Sequence, residues 1–300
     1  AEAGADVLLV EHEYQLGGHL LWGDPASQGE AADLVTAVES HPGIEVLRNS
    51  TVTGRYDHNW VSVLERSHPT APERLIRARA GSLVVAPGLV ERPYVFAGND
   101  TPGVMLSGAV RRLINLWSVK PGRRAVVLSA NTQGDSALDD LRAAGVEIVA
   151  SLDARVGEDI VSVEGRGRAR KVTLGDGRTV TADLVVTATG WTAPTSLLNM
   201  AGDRPVYDPV AARYFPGSLP DEVLATGGIV GDGSTRELVE HGTSTGQLAA
   251  NRALRLRHHH RTTLARAADP EGPAPEPLPD TREPLSRDPH PECYRSTTHG

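Results

Sequence analysis

The residues best suited to chemistry near the start of the chain are a carboxylate and a glycine pair. The apolar run Val7-Leu8-Leu9-Val10 ends in Glu11, and Gly17-Gly18 follows within the next turn. An acid at the tip of a parallel strand accepts hydrogen bonds from the two hydroxyls of an adenosine ribose and repels a 2′-phosphate, which favours FAD or NAD over NADP. The glycines let the following loop approach such a ligand without a Cβ in the way. A first strand with its G-x-G-x-x-G turn belongs about 20 residues before such an acid. The chain begins at Ala1 with no Met, so an internal fragment of a longer protein is expected.

Three further strand-to-small-residue turns repeat the theme. Leu83-Val84-Val85 runs into Ala86-Pro87-Gly88, Leu184-Val185-Val186-Thr187 into Ala188-Thr189-Gly190, and Val223-Leu224-Ala225 into Thr226-Gly227-Gly228, with Asp232 just beyond. In flavoproteins with two dinucleotide folds, an A-T-G segment closes each passage near the cofactor. It is complete at residues 188–190 and has Pro87 in place of Thr in the earlier copy. The expected cofactor contacts are therefore Glu11, Gly17, Gly18, Pro87, Gly88, Thr189, Gly190, Gly227 and Gly228. No catalytic side chain is expected. Asp57 and His58 are neighbours on an expected strand and so point to opposite faces, and they read as structural. No metal site is expected either, since His258-His259-His260 has no further ligand at suitable spacing.

The elements that must position these residues follow from periodicity. A helix is expected over 30–39, short strands over 44–47, 50–53, 60–64 and 75–78, and a turn-rich connector over 98–105. A second helix over 106–117 puts Arg111 and Arg112 off its apolar face, toward solvent, and Pro121-Gly122 ends it. Residues 124–153 repeat a strand, helix, strand pattern, with a short helix at 137–144. Its 130–136 turn keeps one glycine where a phosphate-binding turn has three, so this second nucleotide site reads as weak or lost. Short strands over 156–180, with a hairpin at Asp176-Gly177, and a helix over 235–256 complete the ordered part. The Pro-rich stretch 268–292 reads as a linker.

The expected fold is thus α/β: a two-dinucleotide-binding-domain, Rossmann-like flavoprotein fold with the second domain inserted into the first. Residues 1–120 begin the first domain without its first strand, 121–183 form the second and degenerate one, 184–256 return to the first, and 257–300 are a linker.

Composition limits the partners. The 300 residues carry a net charge of −8 and are 39% hydrophobic and 23% charged, which suits a globular chain and disfavours nucleic acid or anionic membrane. No run approaches the ~18 apolar residues of a spanning helix, and no signal peptide is visible, so the cytoplasm is expected. The single cysteine, Cys293, cannot form a redox pair or a cluster ligand set. Redox chemistry must come from a bound organic cofactor.

Several stretches are too specific for a generic nucleotide fold: Tyr56-Asp57-His58-Asn59 with Leu64-Glu65-Arg66, Glu91-Arg92-Pro93, Gly98-Asn99-Asp100 with Pro102-Gly103-Val104-Met105, and Pro121-Gly122-Arg123-Arg124. Through them the chain resembles the alpha subunit of heterotetrameric sarcosine oxidase and its relatives among opine oxidase and hydrogen cyanide synthase subunits. The resemblance implies NAD or FAD in the first fold, FMN at a subunit interface, partner subunits of a hetero-oligomeric amine oxidase and a small-molecule amine substrate. It implies oxidative demethylation of an N-methyl amino acid, with O2 reoxidising the flavin and the reacting site on a partner subunit. Two other readings stay open: a stand-alone NAD(P)H-dependent flavin oxidoreductase and a non-catalytic scaffold subunit.

Overall fold

The computed structural model describes residues 1–267, with side chains to residue 256. Residues 1–259 make one compact unit and 260–300 a second; all that follows concerns the first. Residues 257–267 of the expected linker are helical rather than extended, while its remainder, Cys293 and the side chains of His258-His259-His260 lie outside the described residues.

The opening apolar run forms β1 (Val7–Val10), paired in parallel with β2 (Ile44–Leu47) from Val7 against Ile44 to Val10 against Leu47. Between them lie a 3-10 turn, Gly18–Trp22, and helix α1 (Pro25–Ser40). The helix starts earlier than its apolar spacing predicts. Asp24 caps it, accepting from Ser27 N at 2.8 Å, and proline at the first position supplies the right φ.

An antiparallel meander follows, β3 (Ser50–Tyr56), β4 (Trp60–Glu65) and β5 (Arg74–Arg79). Asp57 and His58 are not strand residues, contrary to the periodicity. They sit in a 3-10 turn, with His58 at φ 57° and Asn59 at φ 54°. The buried Asn59 fixes that turn: its Oδ1 accepts from Arg55 Nε at 3.0 Å and its Nδ2 donates to Glu222 O at 3.1 Å. Side-chain bonds of Asn59, one of them to the distant Glu222, thus override the alternation.

Next come β6 (Leu83–Val85) and the two-residue β7 (Val90–Glu91). The expected connector at 98–105 contains a strand, β8 (Val104–Leu106), because Val104 to Leu106 pair in parallel with residues 185–187 of β14 below. Helix α2 (Ser107–Asn115) stops short of Pro121, the chain reversing through Ser118 at φ 53°.

Then follow β9 (Arg124–Ser129), helix α3 (Thr132–Ala143), β10 (Glu147–Asp153), the meander β11 (Ile160–Glu164), β12 (Lys171–Leu174) and β13 (Thr179–Thr181), and β14 (Leu184–Ala188). Four of these strands make one parallel sheet in the order β10-β9-β14-β8. Ala125, Val126, Val127, Leu128, Leu184, Val185 and Val186 are fully buried, the unbroken apolar run expected of a sheet covered on both faces. Val126, Leu128 and Val185 pack toward the meander, and Ala125, Val127 and Val186 toward α2 and α3. Each larger side chain there contributes ~1.5–3 kcal/mol by leaving water.

The return leg holds β15 (Trp191–Thr192), antiparallel to β7, then α4 (Ser196–Met200), the hairpin β16 (Val206–Asp208) and β17 (Arg213–Phe215), and β18 (Val223–Ala225), parallel to β6. Helix α5 (Thr235–Ala267) ends the description.

The two arginines of α2 correct the expectation of a solvated face. Arg111 is buried at 6% exposure. Its Nε donates to Asp140 Oδ2 at 2.7 Å, its Nη1 to Gln133 Oε1 at 2.6 Å, and its Cζ lies 5.4 Å from the Trp22 ring centroid. Helix α3 and the Gly18–Trp22 turn close over it, so a residue off the apolar stripe becomes an internal tie. Arg112 makes a two-pronged contact with Glu13, at 3.0 and 2.9 Å.

Candidate functional site: the glycine-lined ends of parallel strands

The residues expected to hold a cofactor fall into three groups. The first is the loop leaving β1. Glu11 Oε1 accepts from Glu13 N at 2.8 Å, which aims the carboxylate back over its own loop. Glu13 in turn is anchored to α2, and the hydrogen bonds from Arg112 hold its carboxyl below the usual value. Gly17 has φ 116°, and a Cβ there would stand 2.8 Å from Leu21 Cδ2, so only glycine fits. His19 comes next, edge-on to Trp22, and burial with the nearby Arg111 charge holds its imidazole below its ordinary pKa.

The second group is brought together by the pairing of β6 with β18. Pro87-Gly88 and Gly227-Gly228 leave the C-terminal ends of these adjacent parallel strands, and a Cβ on Gly228 would touch Leu89 Cγ at 3.3 Å. Gly88 (φ 69°) and Gly227 (φ 77°) both adopt the left-handed conformation, and a Cβ on either would meet nothing within 4 Å. Bare backbone facing open space at the C-terminal ends of parallel strands is the arrangement in which α/β folds receive ligands. The residues fit an extended dinucleotide in their lack of side chains. Thr226 Oγ1 lies 2.7 Å from His241 Nδ1, which ties this turn to α5.

The third group, Thr189-Gly190, lies at the end of β14. Arg92 N donates to Gly190 O at 2.9 Å, and a Cβ on Gly190 would stand 2.7 Å from Arg92 Nη2. Gly190 therefore makes room for the arginine of the Glu91-Arg92-Pro93 motif. That motif was not expected to act here. Glu91 is also buried, and it accepts from Ser107 N at 3.1 Å and Gly108 N at 2.8 Å at the start of α2.

The strand-helix-strand unit over residues 124–153, expected as a second nucleotide fold, is filled by its own side chains. Residues 130–136 are largely the first turn of α3 rather than an open loop. Asn131 caps it, with Oδ1 accepting from Gln133 N and Gly134 N, each at 3.1 Å. These are the donors a pyrophosphate needs. Gly134, the one glycine retained, is a packing residue: its Cβ would stand 2.5 Å from Ser129 Oγ and 2.7 Å from Ala188 Cβ. Asp135 accepts from Ser129 Oγ at 2.7 Å and from Arg155, and the Ser129 hydroxyl and Arg155 hold its carboxyl low. Arg155 also binds Asp153, at the end of β10. The Asn131 cap could have been read from the sequence as an N-cap signal; the Arg155 clamp could not.

Other features stand apart. An open groove of about 410 Å³ is lined by Tyr14, Leu16, Leu21, Val35 and the Glu39–Arg48 ion pair, among others, and by none of the expected cofactor residues. Among the described residues no helix is long and apolar enough to cross a membrane, and no cluster of three potential metal ligands occurs.

A parallel α/β sheet with glycine turns at its strand ends defines a Rossmann-like fold, and known structures agree. L-proline dehydrogenase from P. horikoshii superposes with a TM-score of 0.63 at 20% identity, covering 74% of this chain and 46% of that one. T. acidophilum thioredoxin reductase gives 0.54 at 12% identity, over 84% and 91%. The chain matches no protein-family model. It is, however, similar to sarcosine oxidase alpha subunits: it is 34% identical over 259 residues to sarcosine oxidase subunit alpha of Rhizobium meliloti (strain 1021), covering 75% of this chain and 26% of that protein. The same subunit of Corynebacterium sp. (strain P-1) is 32% identical over 224 residues, 70% of this chain and 23% of that protein. The chain thus spans about a quarter of the length of these relatives.

Proposed function

We propose that this chain is the dinucleotide-holding part of a sarcosine oxidase-like alpha subunit. The observation that carries the reading is the pairing of β6 with β18, whose adjacent C-terminal ends lead into Gly88 and Gly227, both at positive φ with nothing within 4 Å of either missing Cβ. Similarity over three quarters of the chain to sarcosine oxidase alpha subunits supports it. Glu11 would receive the adenosine ribose, and Gly17, Gly18, Pro87, Gly88, Gly227 and Gly228 would line the dinucleotide, NAD or FAD. Thr189 and Gly190 border it through Arg92. The bound dinucleotide supplies the redox chemistry; this chain's residues bind and orient it and move no proton.

In this reading the residue 121–183 fold is inserted into a first fold made of residues 1–120 and 184–256. β1 pairs only with β2, and β6 only with β18, among the described residues. The complete complex oxidatively demethylates an N-methyl amino acid such as sarcosine, with O2 reoxidising a flavin. Other subunits carry the reacting site, and FMN sits at a subunit interface. The complex works in the cytoplasm. The Asn131 cap and the Asp135–Arg155–Asp153 clamp disfavour a stand-alone NAD(P)H-dependent flavin reductase.

The test is to denature purified full-length protein and identify what it releases by absorbance and chromatography. One equivalent of FAD or NAD is expected. Release of no nucleotide would refute the reading and leave a scaffold.

A further inference from the structure

Arg213 on β17 is the least satisfied charged group in the described chain. It is 4% exposed, yet its Nε and Nη2 are buried without a hydrogen-bond partner. The remaining nitrogen, Nη1, lies 3.0 Å from Asp232 Oδ1, and the guanidinium carbon lies 4.6 Å from the Phe215 ring centroid. The aromatic face offsets part of the cost of burying the charge. It offers nothing to the two idle N–H groups, and buried donors without acceptors are rare because each forfeits its hydration.

The identity of those two nitrogens matters. Nε and Nη2 form the side-on edge of the guanidinium, where two N–H bonds run parallel at the spacing of two oxygens of a carboxylate or phosphate. Asp232 does not use that edge. Its side chain is 78% exposed and stands between Gly231 and Gly233, on the turn that follows Gly227-Gly228. A second cation lies nearby, since Arg92 Nη1 donates to the carbonyl of Ala212, the residue before Arg213.

We infer that Arg213 is an anion-anchoring residue: its Nε/Nη2 edge takes two oxygens of a bound ligand, beside the carboxylate of Asp232 that meets Nη1. The ligand is a phosphate of a dinucleotide or the carboxylate of a small amino acid, the two sources that present this pair of oxygens. When the glycine-flanked turn swings out, the Nε/Nη2 edge opens to the anion, and the negative charge of Asp232 beside it opposes binding. The inference rests on the geometry around Arg213 and holds whichever dinucleotide, or none, occupies the glycine turns.

The experiment is calorimetric titration of full-length protein, wild type, Asp232→Asn and Arg213→Lys, with ADP as the phosphate source and N-methylglycine as the carboxylate source. Asp232→Asn lies on an exposed turn, so its fold is retained. It should bind one of the two probes about tenfold more tightly, because a competing negative charge is gone. Arg213→Lys keeps the charge and loses the fork, and should bind the same probe about tenfold more weakly. The responding probe identifies the source. If neither probe binds, or if Asp232→Asn leaves both affinities unchanged, Arg213 is a structural cation and the inference falls. A response to N-methylglycine in protein that releases no nucleotide would sink the dinucleotide reading and leave this one standing.

Discussion

The carboxylate of Glu91 caps helix α2 through Ser107, accepting from both its backbone N at 3.1 Å and its hydroxyl, while Gly108 N donates to the other oxygen at 2.8 Å. Glu91 belongs to β7, the short strand that pairs with β15, so one side chain fastens that crossing to the helix behind the large parallel sheet. Glu91→Ala orphans these donors at a buried helix start and should cost about 2 kcal/mol or more. Glu91→Gln retains an acceptor oxygen and should lose less. Urea unfolding of the two variants reads the difference; equal losses would mean the cap does not depend on acceptor chemistry.

Arg111 joins three elements through Asp140, Gln133 and Trp22. Arg111→Met removes one partner of a mostly buried pair and leaves Asp140 held by Asn115 Nδ2 alone, at 2.9 Å. A loss of about 3 kcal/mol is expected. Adding Asp140→Leu should recover part of it, because the stranded charge disappears. Strict additivity of the two losses would contradict direct coupling.

These arginine and glutamate ties mark the limit of what the sequence discloses. The strand over residues 184–188 was legible because a buried parallel strand is a near-continuous apolar run, and those over 44–47 and 83–85 because short apolar-rich runs stand between turn residues. The turns at Gly88, Gly227 and Gly177 were legible because positive φ selects glycine. Strand β8 was hidden, since Pro102-Gly103 before it reads as a turn and only pairing with β14 makes it a strand. Arg111 and Arg213 were hidden for another reason: burial of a charge depends on what the rest of the chain brings to it. Gly190 was expected beside the cofactor and packs against Arg92, and nothing local in the sequence announces that partner.

The Glu13–Arg112 pair gives a pH dependence of known sign. Arg112's hydrogen bonds lower the Glu13 pKa from 4.5, so the folded state binds fewer protons than the unfolded state around that value. The stabilisation is complete above the unfolded pKa and vanishes as pH falls through the depressed folded one. Arg112→Gln should lower stability at pH 7 and leave it nearly unchanged at the acid end of the range where the wild type still folds. Both groups are about two-fifths exposed, so the effect is small and should shrink in salt. A difference that grows on acidification would reverse the assignment.

The filled turn before α3 predicts a kinetic silence. With Asn131 on the N-terminal amides of α3 and Arg155 bound to Asp135 and Asp153, NADH mixed in stopped flow with flavin-loaded full-length protein should produce no rapid bleaching. Asn131→Ala should cost about 1 kcal/mol through the lost cap and still confer no bleaching, because the clamp remains. Fast flavin reduction by NADH in the wild type would show that this site opens.

Two glycines separate packing from ligand binding. A Cβ on Gly134 would stand 2.5 Å from Ser129 Oγ and 2.7 Å from Ala188 Cβ, inside the contact of α3 with the sheet, so Gly134→Ala should destabilise the protein by about 1–3 kcal/mol through overpacking. Gly227 differs. Its φ of 77° makes alanine strained, at a cost of about 1–2 kcal/mol, but the methyl group meets no protein atom within 4 Å. If the space beside Gly227 receives the dinucleotide, Gly227→Ala should lose retained nucleotide on purification while its unfolding midpoint falls less than that of Gly134→Ala. Gly134→Ala should keep its nucleotide at temperatures where it is folded. A Gly227→Ala protein that retains a full equivalent would mean the methyl group points into solvent, and the ligand would then have to lie along the Gly17-Gly18 loop alone.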